Sequence, residues 1–107
     1  MLTRHFAWIL AISVLFGGIA CAGSIAIEQS GQEFSQSSAE IKTGDTVIWT
    51  NHDDVTHNIN IINEDDDAKD MGLQKPGEII KFMFDKAGRF KVRCSIHPSM
   101  KMTVIVS

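Results

Sequence analysis

The chain has 107 residues, of which 44% are hydrophobic and 21% charged, and its formal net charge is −3 at pH 7. This length fits one domain, the composition excludes a disordered chain, and a weakly acidic protein without a Lys/Arg block is a poor nucleic-acid binder. Two cysteines are too few for a disulfide framework or a four-thiolate zinc site. We therefore expect a single globular domain that does not bind nucleic acid.

The first part of the chain has the pattern of a secretory signal. Arg4 precedes the apolar run 6–20, which is shorter than the roughly 20 residues that a helix needs to cross a bilayer. Ala20-Cys21-Ala22 then has the small-x-small pattern that signal peptidases recognise. We predict that residues 1–22 are cleaved on export to the periplasm, and that residues 23–107 form a domain that is not inserted in the membrane. An uncleaved anchor and a lipoprotein modified on Cys21 are the alternatives.

Cleavage at this position also decides the cysteine chemistry. It removes Cys21 and leaves Cys94 without a partner, although an exported compartment favours disulfides. A single remaining thiol in an exported domain is either a reactive liability or a metal ligand. Cys94 is therefore the first indication of a metal site.

After residue 22 the hydrophobic residues alternate as they do in strands, and helical periodicity is missing. Residues 24–29 alternate, residues 41–49 indicate two strands joined at Gly44-Asp45, and His57 shares a strand face with Ile59 and Ile61. The later predicted strands carry Ile80, Phe82 and Phe84, then Phe90, Val92 and Cys94, and finally residues 102–106. About seven short strands at this spacing predict an all-β, single-domain β-sandwich.

The segment Asn63–Gly77 interrupts this pattern. Its acidic residues are Glu64, Asp65, Asp66, Asp67 and Asp70. We predict a long loop here, with at most one helical turn. Its charge favours a solvated connection, and a docking surface for a basic partner is the functional alternative. A calcium loop is disfavoured because the oxygen ligands lack the required spacing.

The segment Cys94–Met100 carries a thiolate, an imidazole and a thioether close together, between two predicted strands. Sulfur ligands combined with imidazole suit copper, whereas zinc fits less well a set with one thiolate and one thioether. A second imidazole can come from His57, because His57 and Cys94 occupy core-facing positions where two strands meet at one end of the sandwich. His57, Cys94, His97 and a distant Met100 would then form a blue copper site. Met102 is the alternative distant ligand.

These residues resemble those of the cupredoxins, most closely the amicyanin-like branch, in which two residues separate Cys from His and His from Met. The block 44–51, followed by His57-Asn58, is similar to the first-ligand region of that family. The likeness runs over about residues 34–106. Thr56 and Ile96 stand where that branch has Pro. These departures affect loop stiffness and reduction potential but remove no ligand.

The resemblance implies a Greek-key sandwich of about seven to eight strands that binds one type 1 copper ion per chain. His57, Cys94 and His97 match the equatorial ligands, Met100 matches the weak axial ligand, and Asn58 matches the residue that ties the ligand loops together. His97, near the surface, would be the electron port.

The resemblance also implies a function. It predicts a monomeric periplasmic carrier of single electrons that cycles between Cu(I) and Cu(II) and is not an enzyme. A c-type cytochrome or a periplasmic dehydrogenase would be its redox partner. A periplasmic copper storage or delivery protein with the same ligands is the alternative.

Overall fold

The computed structural model describes residues 21–107, so nearly all of the predicted signal 1–22 lies outside the described residues. Nine strands and no helix form the described part of the chain. In the same part, no segment provides a helix with the length and apolar character that crossing a membrane requires. The strands are β1 (Ser24–Ser30), β2 (Glu33–Phe34), β3 (Ser38–Ile41), β4 (Thr46–Asn51), β5 (His57–Ile62), β6 (Ala68–Gln74), β7 (Ile79–Met83), β8 (Gly88–Arg93) and β9 (Lys101–Val106).

The strands form two sheets that pack face to face. One sheet has the order β2-β1-β4-β7 and the other the order β3-β9-β8-β5-β6. The pairs β1–β4 and β3–β9 are parallel, and the remaining pairs are antiparallel. The prediction of an all-β sandwich is confirmed, with nine strands instead of seven to eight. One of the additional strands, β2, is only two residues long.

The core lies between the sheets and follows from the alternation of the sequence. Successive side chains of a strand point to opposite faces, so every second residue enters the core. The buried cluster consists of Ile27, Ala39, Ile41, Val47, Trp49, Ile59, Ile61, Phe84, Val92, Met102, Val104 and Val106. Its members come from both sheets, as the predicted strand faces require.

The prediction of a long acidic loop over Asn63–Gly77 is wrong for its second half. Residues 68–74 form β6, which pairs antiparallel with β5, and only residues 63–67 form a turn. In this turn the Asn63 side-chain oxygen accepts hydrogen bonds from the backbone N–H groups of Asp65 and Asp67, both at 2.9 Å. β6 is an edge strand with most of its side chains exposed. It therefore lacks the apolar alternation by which buried strands are recognised.

The direction of β5 and β8 sets the two ends of the sandwich. β5 begins at His57 and β8 ends directly before Cys94, and the two strands run antiparallel. Both residues therefore lie at the same end, which we call the ligand end. The acidic turn 63–67 follows the other end of β5, about 17 Å away for a strand of this length. We call that end the remote end.

Candidate metal centre

Three predicted ligands converge at the ligand end. The Nδ1 atoms of His57 and His97 are 3.1 Å apart, and the Cys94 Sγ atom lies 3.7 Å from the first and 3.9 Å from the second. The two imidazole rings meet edge to face, with centroids 4.8 Å apart. His57 and Cys94 are buried, whereas His97 is half-buried. His57 thus forms one cluster with two residues that lie 37 and 40 positions later in the chain, and His97 is its partly exposed member.

The separations within this cluster fit one metal ion. Nitrogen ligands about 2.0 Å from an ion and a thiolate about 2.3 Å from it lie about 3.3 to 3.7 Å from one another at angles near 110–120°. The observed separations of 3.1, 3.7 and 3.9 Å are close to these values. One thiolate with two imidazoles is also a donor set that suits copper. The cluster therefore fits a type 1 copper site.

Asp53 sets the orientation of the His57 ring. Its Oδ2 atom lies 2.7 Å from His57 Nε2. Because a carboxylate accepts hydrogen bonds, Nε2 carries the ring proton and Nδ1 keeps a lone pair directed at the cluster. The same carboxylate accepts hydrogen bonds from the backbone N–H groups of Gly31 at 2.7 Å and Gln32 at 3.0 Å. One side chain therefore connects the turn between β1 and β2 with a ligand of the cluster.

The pKa of Asp53 lies below its ordinary value of 3.8. Burial of the carboxyl is the largest single influence and raises the pKa, but the hydrogen bonds from His57, Gln32 and Gly31 together outweigh it. The carboxyl thus remains an ionised acceptor at neutral pH. The sequence analysis did not identify Asp53. Its only signal in the sequence is its place in a polar turn, four residues before His57.

A buried amide holds the turn that precedes His57. Asn51 donates hydrogen bonds from Nδ2 to the backbone carbonyls of Val55 at 2.9 Å and Gln74 at 3.0 Å. Its Oδ1 atom accepts the backbone N–H of Asp53 at 2.8 Å. The turn lies outside the strands, so the Asn51 side chain supplies the hydrogen-bond partners that a neighbouring strand would otherwise provide. The turn therefore reaches β5 in a fixed geometry.

Asn58 joins β5 to the residue after Cys94. Its Oδ1 atom accepts the backbone N–H of Ser95 at 2.7 Å. Its Nδ2 atom donates to Ser95 Oγ at 3.3 Å and to Asp70 Oδ1 at 3.4 Å. The contact between the first-ligand strand and the ligand loop is the one that the resemblance implies for Asn58.

Two backbone hydrogen bonds close the loop that carries Cys94 and His97. The N–H of Cys94 donates to the Met100 carbonyl at 3.3 Å, and the N–H of Met100 donates to the His97 carbonyl at 2.9 Å. Met100 is fully buried but lies outside the hydrophobic cluster of the core. Met102 belongs to that cluster and pairs across the sheet with Val92. Met102 is therefore a core residue, whereas Met100 closes the ligand loop.

The surface next to His97 is weakly polar. Ile96 and Val55, at the same end of the sandwich, are 47% and 37% exposed. Pro98 and Ser99 are exposed beside them. The residues directly before and after His97 in the loop are thus apolar or uncharged.

His52 lies outside the cluster. It is exposed, and its Nε2 atom is 3.2 Å from Glu28 Oε1. A contact of this kind in solvent contributes little to stability. His52 is therefore a surface residue and not a member of the metal centre.

Comparison with known proteins supports the interpretation of the cluster. Residues 21–107 match the family of copper-binding proteins described as the plastocyanin/azurin family. The methylamine utilization protein MauL of Methylorubrum extorquens is 31% identical over 70 residues, which are 65% of this chain and 61% of that protein. Amicyanin of Paracoccus denitrificans is 26% identical over 86 residues, which are 78% of this chain and 66% of that protein. The chain thus spans less than two thirds of the length of MauL.

Solved structures have the same fold. An amicyanin variant in its Cu(I) form has a TM-score of 0.73 at 25% identity, over 85% of this chain and 88% of that chain. A purple cupredoxin from Nitrosopumilus maritimus has a TM-score of 0.67 at 29% identity, over 77% of this chain and 98% of that chain. Because the family match covers the whole described domain with its two imidazoles and thiol, this chain belongs to the plastocyanin/azurin family of copper-binding proteins, the cupredoxins.

Proposed function

We propose that this protein is a periplasmic type 1 copper protein that carries single electrons between redox partners and is not an enzyme. The observation that carries this proposal is the convergence of the Cys94 sulfur with the Nδ1 atoms of His57 and His97. These three residues would hold the ion, with Met100 as the distant axial ligand. Bound copper supplies one-electron cycling between Cu(II) and Cu(I).

The residues of the chain hold the donor atoms in place. Asp53 orients the His57 ring, and Asn58 fixes the backbone directly after Cys94. Groups that are organised in advance need little rearrangement when charge changes at a site, which favours rapid electron exchange.

The surroundings of His97 support its role as the electron port. It is the only partly exposed member of the three-residue cluster, and Ile96 and Val55 provide apolar surface at the same end. Transient redox encounters use small interfaces. The partner that we propose is a c-type cytochrome or a periplasmic dehydrogenase. The similarity to amicyanin and to proteins named for methylamine utilization supports this partner class.

The proposal includes export. Residues 1–22 would be the cleaved signal, and residues 23–107 would be the monomeric, copper-binding domain. The start of the family match at residue 21 supports this boundary. Mass spectrometry of the protein purified from the periplasm tests it, and a chain that begins at residue 1 or carries lipid on Cys21 would contradict it.

One titration tests the central proposal. The protein that begins at Gly23 is loaded with one equivalent of Cu(II), reduced and reoxidised while its visible spectrum is recorded. An intense blue band that disappears with one electron and returns on reoxidation, with copper retained, is the expected result. Colourless protein that binds copper and loses it to a Cu(I) chelator would instead identify a storage or delivery protein.

A further inference from the structure

Four cationic side chains form a stripe on the outer face of the five-stranded sheet. Arg89, Lys91 and Arg93 are alternate residues of β8, on the face opposite to the core residue Val92. Lys101, at the start of β9, pairs across the sheet with Arg93 and therefore shares its face. We call these four residues the basic stripe.

The cationic atoms of the basic stripe form no close ion pair, although Glu64 and Asp66 of the acidic turn line the groove beside Arg89 and Lys91. Both ion pairs found among residues 21–107 involve histidines, so no carboxylate oxygen lies within 4.0 Å of a cationic atom of the stripe. The Arg93 guanidinium donates instead to the backbone carbonyls of Val92 at 3.0 Å and Met102 at 3.3 Å. Like charges on directly opposed strand positions, such as Arg93 and Lys101, repel each other. Arg93 and Lys101 thus have no carboxylate partner within ion-pair distance among residues 21–107.

The position of the basic stripe connects it with the metal centre. Arg93 directly precedes Cys94 and Lys101 directly follows Met100, so the two cations flank the ligand loop. Two shallow grooves of about 490 and 300 Å³ border the stripe and share Arg93 and Thr103 in their lining. A molecule bound along the stripe would therefore lie beside the loop that carries His97.

The charge of the rest of the molecule has the opposite sign. The chain has a net charge of −3, and the acidic turn 63–67 lies at the remote end. Arg93 and Lys101, at the ligand end of the stripe, therefore attract an approaching acidic surface, whereas Glu64 and Asp66 weaken that attraction beside Arg89 and Lys91 at the remote end. Such a charge distribution orients an encounter before contact is made.

We propose that the basic stripe docks the acidic face of a protein redox partner. This inference rests on the proposed electron-carrier function and specifies the charge of the partner. Nucleic acid fits less well as the partner, because the protein is acidic overall and four cations can neutralise only a few phosphates. The position of the stripe beside the ligand loop favours a partner that exchanges electrons there.

The test uses one probe protein in two charge states. Cytochrome c with its native basic surface is compared with the same cytochrome after succinylation, which converts lysines into carboxylates. Electron exchange with the copper-loaded protein is measured by stopped flow over an ionic-strength series. The stripe variant is Lys91→Glu with Lys101→Glu. The control is Lys81→Glu with Lys86→Glu, an equal change of net charge at exposed lysines outside the stripe. Arg93 is left unchanged because its guanidinium donates hydrogen bonds to two backbone carbonyls, so its substitution would disturb the backbone next to Cys94.

The expected result is a difference that depends on both location and sign. At low ionic strength, the wild type reacts faster with the succinylated cytochrome than with the native one. The stripe variant slows the reaction with the succinylated cytochrome about tenfold, and high salt removes this difference. The control variant slows it less than twofold. An unchanged visible spectrum shows that both variants keep the metal centre intact.

Other outcomes overturn the inference. Equal slowing by both variants would mean that only the net charge of the protein matters. A wild type that reacts faster with the native, basic cytochrome would mean that an acidic and not a basic surface docks the partner. Binding of duplex DNA or of phosphatidylglycerol vesicles at physiological salt, lost in the stripe variant, would assign the stripe to a polyanion or a membrane. The uncharged reductant durohydroquinone, which is a much stronger reductant than reduced type 1 copper, separates the two proposals. A wild type that it cannot reduce overturns the electron-carrier function itself.

Discussion

The two ends of the sandwich hold their loops in different ways. At the ligand end, the buried side chains of Asn51 and Asn58 and the largely buried carboxylate of Asp53 bond to backbone groups and to His57. At the remote end, the turn 63–67 is organised by Asn63, whose hydrogen bonds are exposed to solvent. A buried polar group that loses its partner costs about 1–3 kcal/mol, whereas water replaces a lost partner at the surface. The ligand end is therefore the part of the fold in which individual polar side chains matter most.

The largest expected effect is on the cluster itself. We predict that Cys94→Ser abolishes the blue colour of the Cu(II) protein, because the thiolate supplies the charge-transfer donor and a hydroxyl cannot replace it. Met100→Leu is the matched control and should keep the colour and raise the reduction potential. The visible spectrum and a redox titration measure both effects. If Met102→Leu shifts the potential and Met100→Leu does not, the axial assignment is wrong.

The next effect concerns the residue that orients a ligand. Asp53→Ala should weaken copper binding about 10- to 100-fold. Without the hydrogen bond from His57 Nε2 to Asp53, neither the orientation of the His57 ring nor the nitrogen that carries its proton is determined. Titration against a competing chelator measures the affinity. Asp54→Ala, at the exposed neighbouring position, is the control and should leave the affinity unchanged. Partial rescue by Asp53→Glu would support an orienting role, and equal affinities of the wild type and Asp53→Ala would refute it.

The same substitution at the two ends tests the comparison directly. Asn51→Ala should lower the free energy of unfolding by about 2–3 kcal/mol, because it removes the buried hydrogen bond to the Gln74 carbonyl and the partly buried one to the Val55 carbonyl. Asn63→Ala should cost about 0.5–1 kcal/mol, because water replaces its exposed contacts. Urea denaturation of the domain measures both values. Equal losses would show that the ends do not differ in this way.

The smallest effect depends on pH and belongs to the remote end. Hydrogen bonds from the backbone N–H groups of Gly23 and Lys42 hold the pKa of Asp45 below its ordinary value of 3.8. A lowered pKa in the folded state stabilises the protein above the ordinary pKa, and this contribution is lost as the pH falls through the lowered value. Asp45→Asn should therefore destabilise the domain at pH 7. The difference from wild type should shrink in urea denaturation at pH 3, and a constant difference would contradict the assignment.

The sequence by itself determined the sandwich and three members of the cluster. Alternation with a period of two follows from the local geometry of a strand, so the inward faces of β5 and β8 could be predicted without their partners. His57 and Cys94 continue those faces, and the spacing from Cys94 to Met100 defines one loop. Donor atoms of these types suit copper wherever they meet, because metal preference depends on ligand chemistry.

Only the tertiary structure decided how the cluster is supported and what surface surrounds it. β6 was not predictable by alternation, because an exposed edge strand has no apolar face to reveal it. The role of Asp53 depends on a turn between β1 and β2 that lies 21 residues or more away in the chain. Strand pairing adds Lys101 to the three alternate cations of β8 and so brings the basic stripe to both flanks of the ligand loop. Hydrogen bonds and charge patches join residues that are distant in sequence, so their partners become known only when the strands are paired.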